Sequence, residues 1–195
     1  MSATPREEFW GIYRETLPIL LIALGGGLFA GLVLEEILES VERFPGLLVM
    51  VPVFLATRGN VYGALGGRIA SGIHQGLLPP QFEWNERLVN AVVASFVNGI
   101  GISIVIGFIS WGALNLLGMP AAAWYELVGI MLLAGTVTSV IMIFGLLSLI
   151  FLGYRMGYDP DNLVGPIVTT LGDIFGMLFL LISVLVIDGL FEVVV

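Results

Sequence analysis

Long runs of apolar residues dominate the chain, and short polar breaks separate them. Charge-free stretches cover residues 16–34, 88–125 and 127–154, and the stretches 44–67 and 162–187 each hold one charged residue. A Pro-Gly pair stands at the start of the run 44–67, and Pro-Pro and Asp-Pro pairs fall between runs. A helix needs about 20 mainly apolar residues to cross a bilayer. The pattern therefore predicts five membrane-spanning helices, over about residues 16–38, 46–70, 87–114, 124–152 and 162–188.

The composition agrees with an all-α integral membrane protein. Hydrophobic residues make up 58% of the chain, and the mean hydropathy is +1.04. These values exclude a sizeable aqueous domain and a nucleotide-binding fold. A membrane β-barrel is excluded too, because its strands are about ten residues long and alternate apolar with polar residues. We expect residues 1–195 to form one membrane domain with no cleaved signal and no soluble regulatory domain.

Charge sets further limits and predicts an orientation. The net charge is −8, which argues against binding nucleic acid or anionic lipid through a basic surface. With five spans, five of the seven basic residues lie on the same side of the membrane as the amino terminus; these are Arg6, Arg14, Arg68, Arg87 and Arg155. Because basic residues accumulate in cytoplasmic loops, the amino terminus is predicted in the cytoplasm and the carboxyl terminus outside. Trp and Tyr near the span ends would anchor the protein in lipid, as expected for a multi-pass protein of a prokaryotic plasma membrane.

Asp173 is the main anomaly, because it lies near the middle of the fifth predicted span. A carboxylate there costs at least about 2.5–3.5 kcal/mol, so such residues normally face protein or water and serve a function. Thr169 and Thr170 precede it by about one turn. Pro166 leaves the carbonyl of Asn162 without its helical donor. This face offers several oxygens to a ligand; the alternative is a protonated Asp173 bonded to another helix.

Span two carries a second polar group. Gly59, Gly63 and Gly67 recur every four residues, which by itself favours close helix packing. The amide oxygen of Asn60, beside this thin helix face, can ligate a hard cation. Arg58 must face a partner, water or headgroups, and we expect it either to pair with an acid or to extend to the membrane surface.

Other polar residues have simpler interpretations. Asn98 and Gly101 lie on one face of span three, which we interpret as a helix–helix contact. Asp159 and Asp161 predict an amino-terminal cap for span five, with a cytoplasmic cation vestibule as the alternative. His74 at the inner end of span two receives no role.

The oxygens inside the predicted membrane region favour a hard cation. The chain has no Cys and one His, so a soft transition-metal site is not expected. Mg²⁺ keeps several waters and takes only one or two carboxylates. One intramembrane Asp per chain, doubled by a twofold axis, would supply two. A homodimer with the path on its axis fits this number.

Two segments resemble a known family. Residues 51–68, with Arg58-Gly59-Asn60, look like the signature of MgtE-type magnesium transporters and their solute carrier family 41 relatives. Residues 159–173, ending in Thr169-Thr170-Leu171-Gly172-Asp173, look like the family's last-helix signature. Arg58 stands where bacterial members have Gly, so this segment is nearer to the solute carrier form, in which a basic residue precedes Gly-Asn.

The resemblance implies a dimeric pore domain whose second and fifth helices line the ion path. Asp173 would correspond to the central magnesium-binding Asp, and Asn60 to the pore Asn of span two. Gly59, Thr169 and Thr170 would lie close to the ion. The expected function is transport of Mg²⁺ or a similar divalent cation, without enzyme activity.

Two other classes of function are weighed against transport. An intramembrane aspartyl protease needs two facing carboxylates, but Asp159 and Asp173 share one helix and lie roughly 21 Å apart along it. A non-transporting subunit that binds partners through its glycine-rich helices is the stronger alternative, although it gains little from a buried Asp. The sequence does not decide between passive conduction and transport coupled to Na⁺ or H⁺. It also does not decide whether the ion is Mg²⁺, Mn²⁺, Co²⁺ or Ca²⁺.

Overall fold

The computed structural model describes residues 5–192 and is all-helical in that range. Its five helices are α1 (Pro5–Leu38), α2 (Leu47–His74), α3 (Glu86–Leu116), α4 (Trp124–Arg155) and α5 (Pro160–Glu192). All five are long and apolar enough to cross a membrane. The prediction of five helices of membrane-spanning length and composition is therefore confirmed. The largest difference in bounds is at α1, which begins eleven residues before the predicted span because its polar flank continues the same helix.

Local sequence explains where several helices begin. The side chain of Asn85 accepts hydrogen bonds from the backbone N–H groups of Arg87 at 2.9 Å and Leu88 at 3.3 Å, which caps α3. Asp159 caps α5 in the same way, since its Oδ1 accepts from the N–H of Asp161 at 2.9 Å. Gly46, with φ of 103°, provides the left-handed turn that precedes α2. The cap predicted for the fifth helix is confirmed.

Small residues let the helices approach closely. A Cβ added at Gly107 of α3 would lie 2.7 Å from the Cα of Val128 on α4. One added at Gly66 of α2 would lie 2.5 Å from Cγ1 of Val164 on α5. Helix α4 packs against α3 and α5, α1 packs along α5, and α2 contacts α3, α4 and α5. In this arrangement α2 and α5 are direct neighbours.

The interior divides into two apolar clusters along the bundle. One contains Phe54 and surrounds the end of the bundle that carries the α1–α2 loop. The other contains Tyr62 and lies towards the opposite end. At the first end, Arg43 joins three segments, since it pairs with Glu126 of α4 at 3.0 Å and with Asp188 of α5 at 3.3 Å. The residue between the two clusters on α2 is Arg58.

Candidate functional site

Asp173 lies midway along α5 and is half-buried. Its carboxylate makes no hydrogen bond or ion pair with any residue of the described range 5–192. The alternative of an Asp bonded to another helix of the same chain is therefore not observed. Gly172, the residue before Asp173, is buried against Arg58 of α2. The face of α5 that packs on α2 is therefore the one next to the face that carries Asp173. Asp173 remains available to a ligand.

The two threonines of α5 point in different directions. Thr169 is exposed, and its hydroxyl donates to the carbonyl of Gly165 at 3.0 Å. Thr170 donates to the carbonyl of Pro166 at 2.8 Å. The methyl carbon of Thr170 packs against α1, where it lies 3.0 Å from a Cβ added at Gly26. Thr169 therefore shares the open face of Asp173, whereas Thr170 is turned towards α1.

A strip of small residues forms the open face of α2. Gly59 and Gly67 are exposed, Gly63 is half-buried, and a Cβ added at any of the three would meet no atom within 4 Å. Within the described chain these glycines do not serve helix packing, the simpler interpretation of their spacing. Gly66 and Gly72 are the α2 glycines that pack against side chains. The strip is therefore free to face an ion path or a second protein surface.

Asn60 is exposed on α2, next to Gly59 of the strip. It lines a groove of about 590 Å³ between α2 and α3, together with Arg68, Asn98 and Gly101. The groove is lined by residues of α2 and α3 alone. Asp173, on α5, is therefore not among the residues that line this groove. Asn98 and Gly101, which we expected at a helix–helix contact, line this opening instead.

Arg58 differs most from the sequence-based expectation. None of its surface is exposed, and it neither pairs with an acid of the described chain nor extends to the membrane surface. Its Nη2 donates to the carbonyl of Gly99 at 3.0 Å and to Oγ of Ser103 at 2.8 Å, both on α3. Its Nη1 lies 3.4 Å from the carbonyl of Gly135 and 3.4 Å from Oγ of Ser139, both on α4. We call these four oxygens the Arg58 cage.

Aromatic rings complete the surroundings of the guanidinium group. Its central carbon lies 4.6 Å from the ring centroid of Phe54 and 5.8 Å from that of Tyr62. The Tyr62 hydroxyl lies 2.6 Å from Oγ of Ser139, which extends the network. Sequence analysis found the charge at Arg58 but missed the cage, because its oxygens lie 41 to 81 residues away along the chain.

A second polar cluster lies where α2 ends and α5 begins. Nε2 of His74 is 3.3 Å from Oδ1 of Asp159 and 3.6 Å from Oδ2 of Asp161. All three residues are exposed. These contacts hold the end of α2 beside the start of α5. They also give His74 a partner that its position in the sequence did not reveal.

The chemistry available at the open faces is that of hard oxygen ligands. Asp173 supplies a carboxylate, Asn60 an amide oxygen and Thr169 a hydroxyl oxygen. The Thr169 proton is already donated to the backbone, so the hydroxyl lone pairs are free to accept from water or to bind a cation. Such oxygens suit Mg²⁺, Ca²⁺ or Mn²⁺ better than softer metals.

Comparison with known proteins agrees with this chemistry. A family model described as MgtE, divalent cation transporter, matches residues 51–183. Solute carrier family 41 member 2 is 26% identical over 185 residues in Mus musculus and 25% identical in Homo sapiens, covering 90% of this chain in both. Member 3 from Rattus norvegicus is 26% identical over 172 residues, covering 82% of this chain.

The chain spans about a third of the length of these relatives, 31% for member 2 and 37% for member 3. The family match covers most of α2, all of α3 and α4, and most of α5. It therefore includes both helices that carry the candidate site residues. With more than half of its length matched, this chain belongs to the MgtE family of divalent cation transporters.

Proposed function

We propose that the protein is a homodimeric, multi-pass membrane transporter for Mg²⁺ or a similar divalent cation. The observation that carries this proposal is Asp173, a carboxylate in the middle of a membrane-length helix that bonds to no residue of the described chain. A carboxylate in that position is costly unless it serves a ligand or a water-filled path. A divalent cation with its waters would supply the missing partner.

In this proposal α2 and α5 line the path. The open strip on α2, formed by Gly59, Gly63 and Gly67, leaves space for a hydrated ion beside Asp173. Thr169 accepts hydrogen bonds from the ion's waters one turn along α5. Asn60 selects the ion from the α2 side, and Thr170 contributes through its backbone and by fixing α5 against α1. Mg²⁺ fits because it retains most of its waters and needs few carboxylates.

A second copy completes the site. The groove that Asn60 lines does not include Asp173, and a Cβ added at any glycine of the strip on α2 would meet no atom within 4 Å. A twofold axis beside α2 would bring two Asp173 carboxylates and two Asn60 amides around one path. With the amino terminus in the cytoplasm, as this proposal has it, a negative interior of about 100 mV favours inward movement of a divalent ion by about 4.6 kcal/mol.

The function is tested by Mg²⁺ flux into proteoliposomes at a set membrane potential. We expect influx that rises with negative interior potential and is absent from protein-free vesicles. Flux that persists without Na⁺ and without a pH gradient identifies passive conduction, whereas a requirement for either ion identifies coupled exchange. A correctly inserted dimer that gives no flux under any of these gradients would refute the transport proposal and favour a partner-binding subunit.

The dimer is tested separately by disulfide formation, because the native chain contains no Cys. Gly63→Cys places a thiol on the open strip of α2, and we expect it to cross-link two copies under mild oxidation. Val140→Cys is the control, since this position is 53% exposed on α4, away from the strip. Cross-linking of Val140→Cys instead of Gly63→Cys would contradict an axis beside α2.

A further inference from the structure

Arg58 carries a charge that the fold surrounds with an unusual set of acceptors for its two Nη atoms, while its buried Nε has no hydrogen-bond partner in the described chain. Its neighbours in the described chain are four neutral oxygens on two helices and two aromatic faces, rather than a carboxylate. Buried arginines are normally matched by an acid, because the charge is expensive to remove from water. A purely structural contact could have been made by apolar residues at lower cost. The cage therefore requires another reason.

The orientation of α2 supplies that reason. Successive residues of a helix differ by about 100°, so Asn60 lies roughly 200° around the helix from Arg58. Arg58 and Tyr62 are buried, whereas Gly59 and Asn60 are exposed. The buried side of α2 is otherwise mainly apolar, and apolar contacts are not directional. The forked guanidinium group is directional, since its donors are fixed in one plane.

We propose that Arg58 is a positioning residue of the cation path, which fixes the rotation of α2 so that Gly59 and Asn60 stay on its open face. This inference rests on the function proposed above. Rotating α2 about its axis would withdraw the guanidinium from the oxygens of α3 and α4 together. Each withdrawn donor would then be buried without a partner, which is costly for a charged group.

Helix α5 is linked to the same anchor. The buried Gly172, which precedes Asp173, faces Arg58: a Cβ added there would lie 3.7 Å from Cβ of Arg58. The base of the Arg58 side chain thus meets α5 while its tip binds α3 and α4. One residue therefore relates Asn60 on α2 to Asp173 on α5. The distance between the two ligands depends on a group that binds no ion itself.

The test uses thiol labelling, which reports the rotation of α2 without requiring flux. Asn60→Cys is made in the native background and together with Arg58→Ala or Arg58→Lys, and each protein is reconstituted and exposed to a small charged methanethiosulfonate reagent. We expect the labelling rate at position 60 to fall about tenfold or more in both Arg58 variants, because even one lost hydrogen bond to a charged group shifts an equilibrium by that factor.

Two controls separate positioning from general loss of structure. Leu116→Cys, 88% exposed at the end of α3, should label at the same rate in every background. Guanidinium chloride at low millimolar concentration should restore labelling at position 60 in the Arg58→Ala background, because the free ion can occupy the cage. Arg58→Lys has no vacated cage and should not respond. Arg14→Ala removes an exposed arginine of α1 and should change nothing.

Flux measurements connect this position to transport. We expect Arg58→Ala to lower Mg²⁺ flux about tenfold or more, for the same energetic reason as the labelling change. Guanidinium should restore flux in Arg58→Ala but not in Asp173→Asn, which lacks the ion's ligand.

The outcomes distinguish the two proposals. Unchanged labelling at position 60 in folded Arg58→Ala and Arg58→Lys proteins would overturn the positioning role, whatever the flux. Reduced labelling that guanidinium does not restore in Arg58→Ala would also overturn it, since the loss would then come from general destabilisation. Absence of flux from the native protein would refute the proposed transport function instead.

Discussion

Replacing Asp173 with Asn removes the charge and keeps nearly the same volume, so it isolates the electrostatic contribution of this side chain. A divalent ion that keeps its waters would sit about 4.5 Å from the carboxylate, where the attraction is about 7 kcal/mol at an effective dielectric constant of 20 and about 2 kcal/mol at 80. Asp173 is half-buried rather than fully exposed to water, so the smaller value is a lower bound. At about 1.4 kcal/mol per factor of ten, we expect Asp173→Asn to weaken ion binding by at least about twentyfold per carboxylate.

The assay is Mg²⁺ influx into proteoliposomes, with external Mg²⁺ below the concentration that gives half-maximal flux. Under that condition flux follows binding. Asp188→Asn is the matched control, because this aspartate also lies on α5 but pairs with Arg43 and is 37% exposed. We expect the control to stay within twofold of the native flux. Native-like flux through a folded Asp173→Asn dimer would refute the assignment of Asp173 as the central ligand.

Two further predictions concern the helices that support the site. Gly107→Ala should destabilise the protein by about 1–3 kcal/mol, because the new methyl group would overlap the backbone of Val128. Gly101→Ala is the control: its new methyl group would meet no atom within 4 Å, so this variant should be neutral or stabilising by up to about 1 kcal/mol. Thermal unfolding in detergent compares the two, and equal effects would contradict the close approach of α3 and α4. Glu126→Ala should cost about 1–2 kcal/mol, because Glu126 pairs with Arg43 and accepts a hydrogen bond at the start of α4. Glu126→Gln should cost less, because it keeps the backbone bond and loses only the ion pair. An equal loss in both variants would contradict a contribution from the backbone bond and show that the ion pair dominates.

Hydrophobic runs and breakers were enough to predict five helices, because a membrane span depends on length and composition that are local to each segment. The ends of α3, α4 and α5 came within four residues of the predicted bounds. The start of α1 was less well predicted, because the mixed-charge segment before its apolar run gives no signal that the helix continues into it. The family resemblance pointed to α2 and α5 and is supported by the family match over both.

The surroundings of single side chains were harder to predict. Thr169 and Thr170 were expected on one face with Asp173, but adjacent residues differ by about 100° around a helix, and packing against α1 separates them. The spacing of Gly59, Gly63 and Gly67 is the same for a packed face and an open one. The environment of Arg58 depends on α3 and α4, whose positions relative to α2 no local pattern contains. The roles of Asp173 and Asn60 in ion binding stay predictions.

The Arg58 cage also has a consequence for how the protein is made. Ser139 follows Arg58 by 81 residues, so α2 leaves the ribosome long before half of the cage exists. At about 5–20 residues per second, that delay is roughly 4–16 s. Throughout this interval an arginine in an otherwise apolar segment lacks at least half of its acceptors, and lipid would be a poor environment for it. Helix α2 should therefore stay next to the insertion machinery until α4 arrives, so that the order of synthesis and the order of membrane integration differ for this helix.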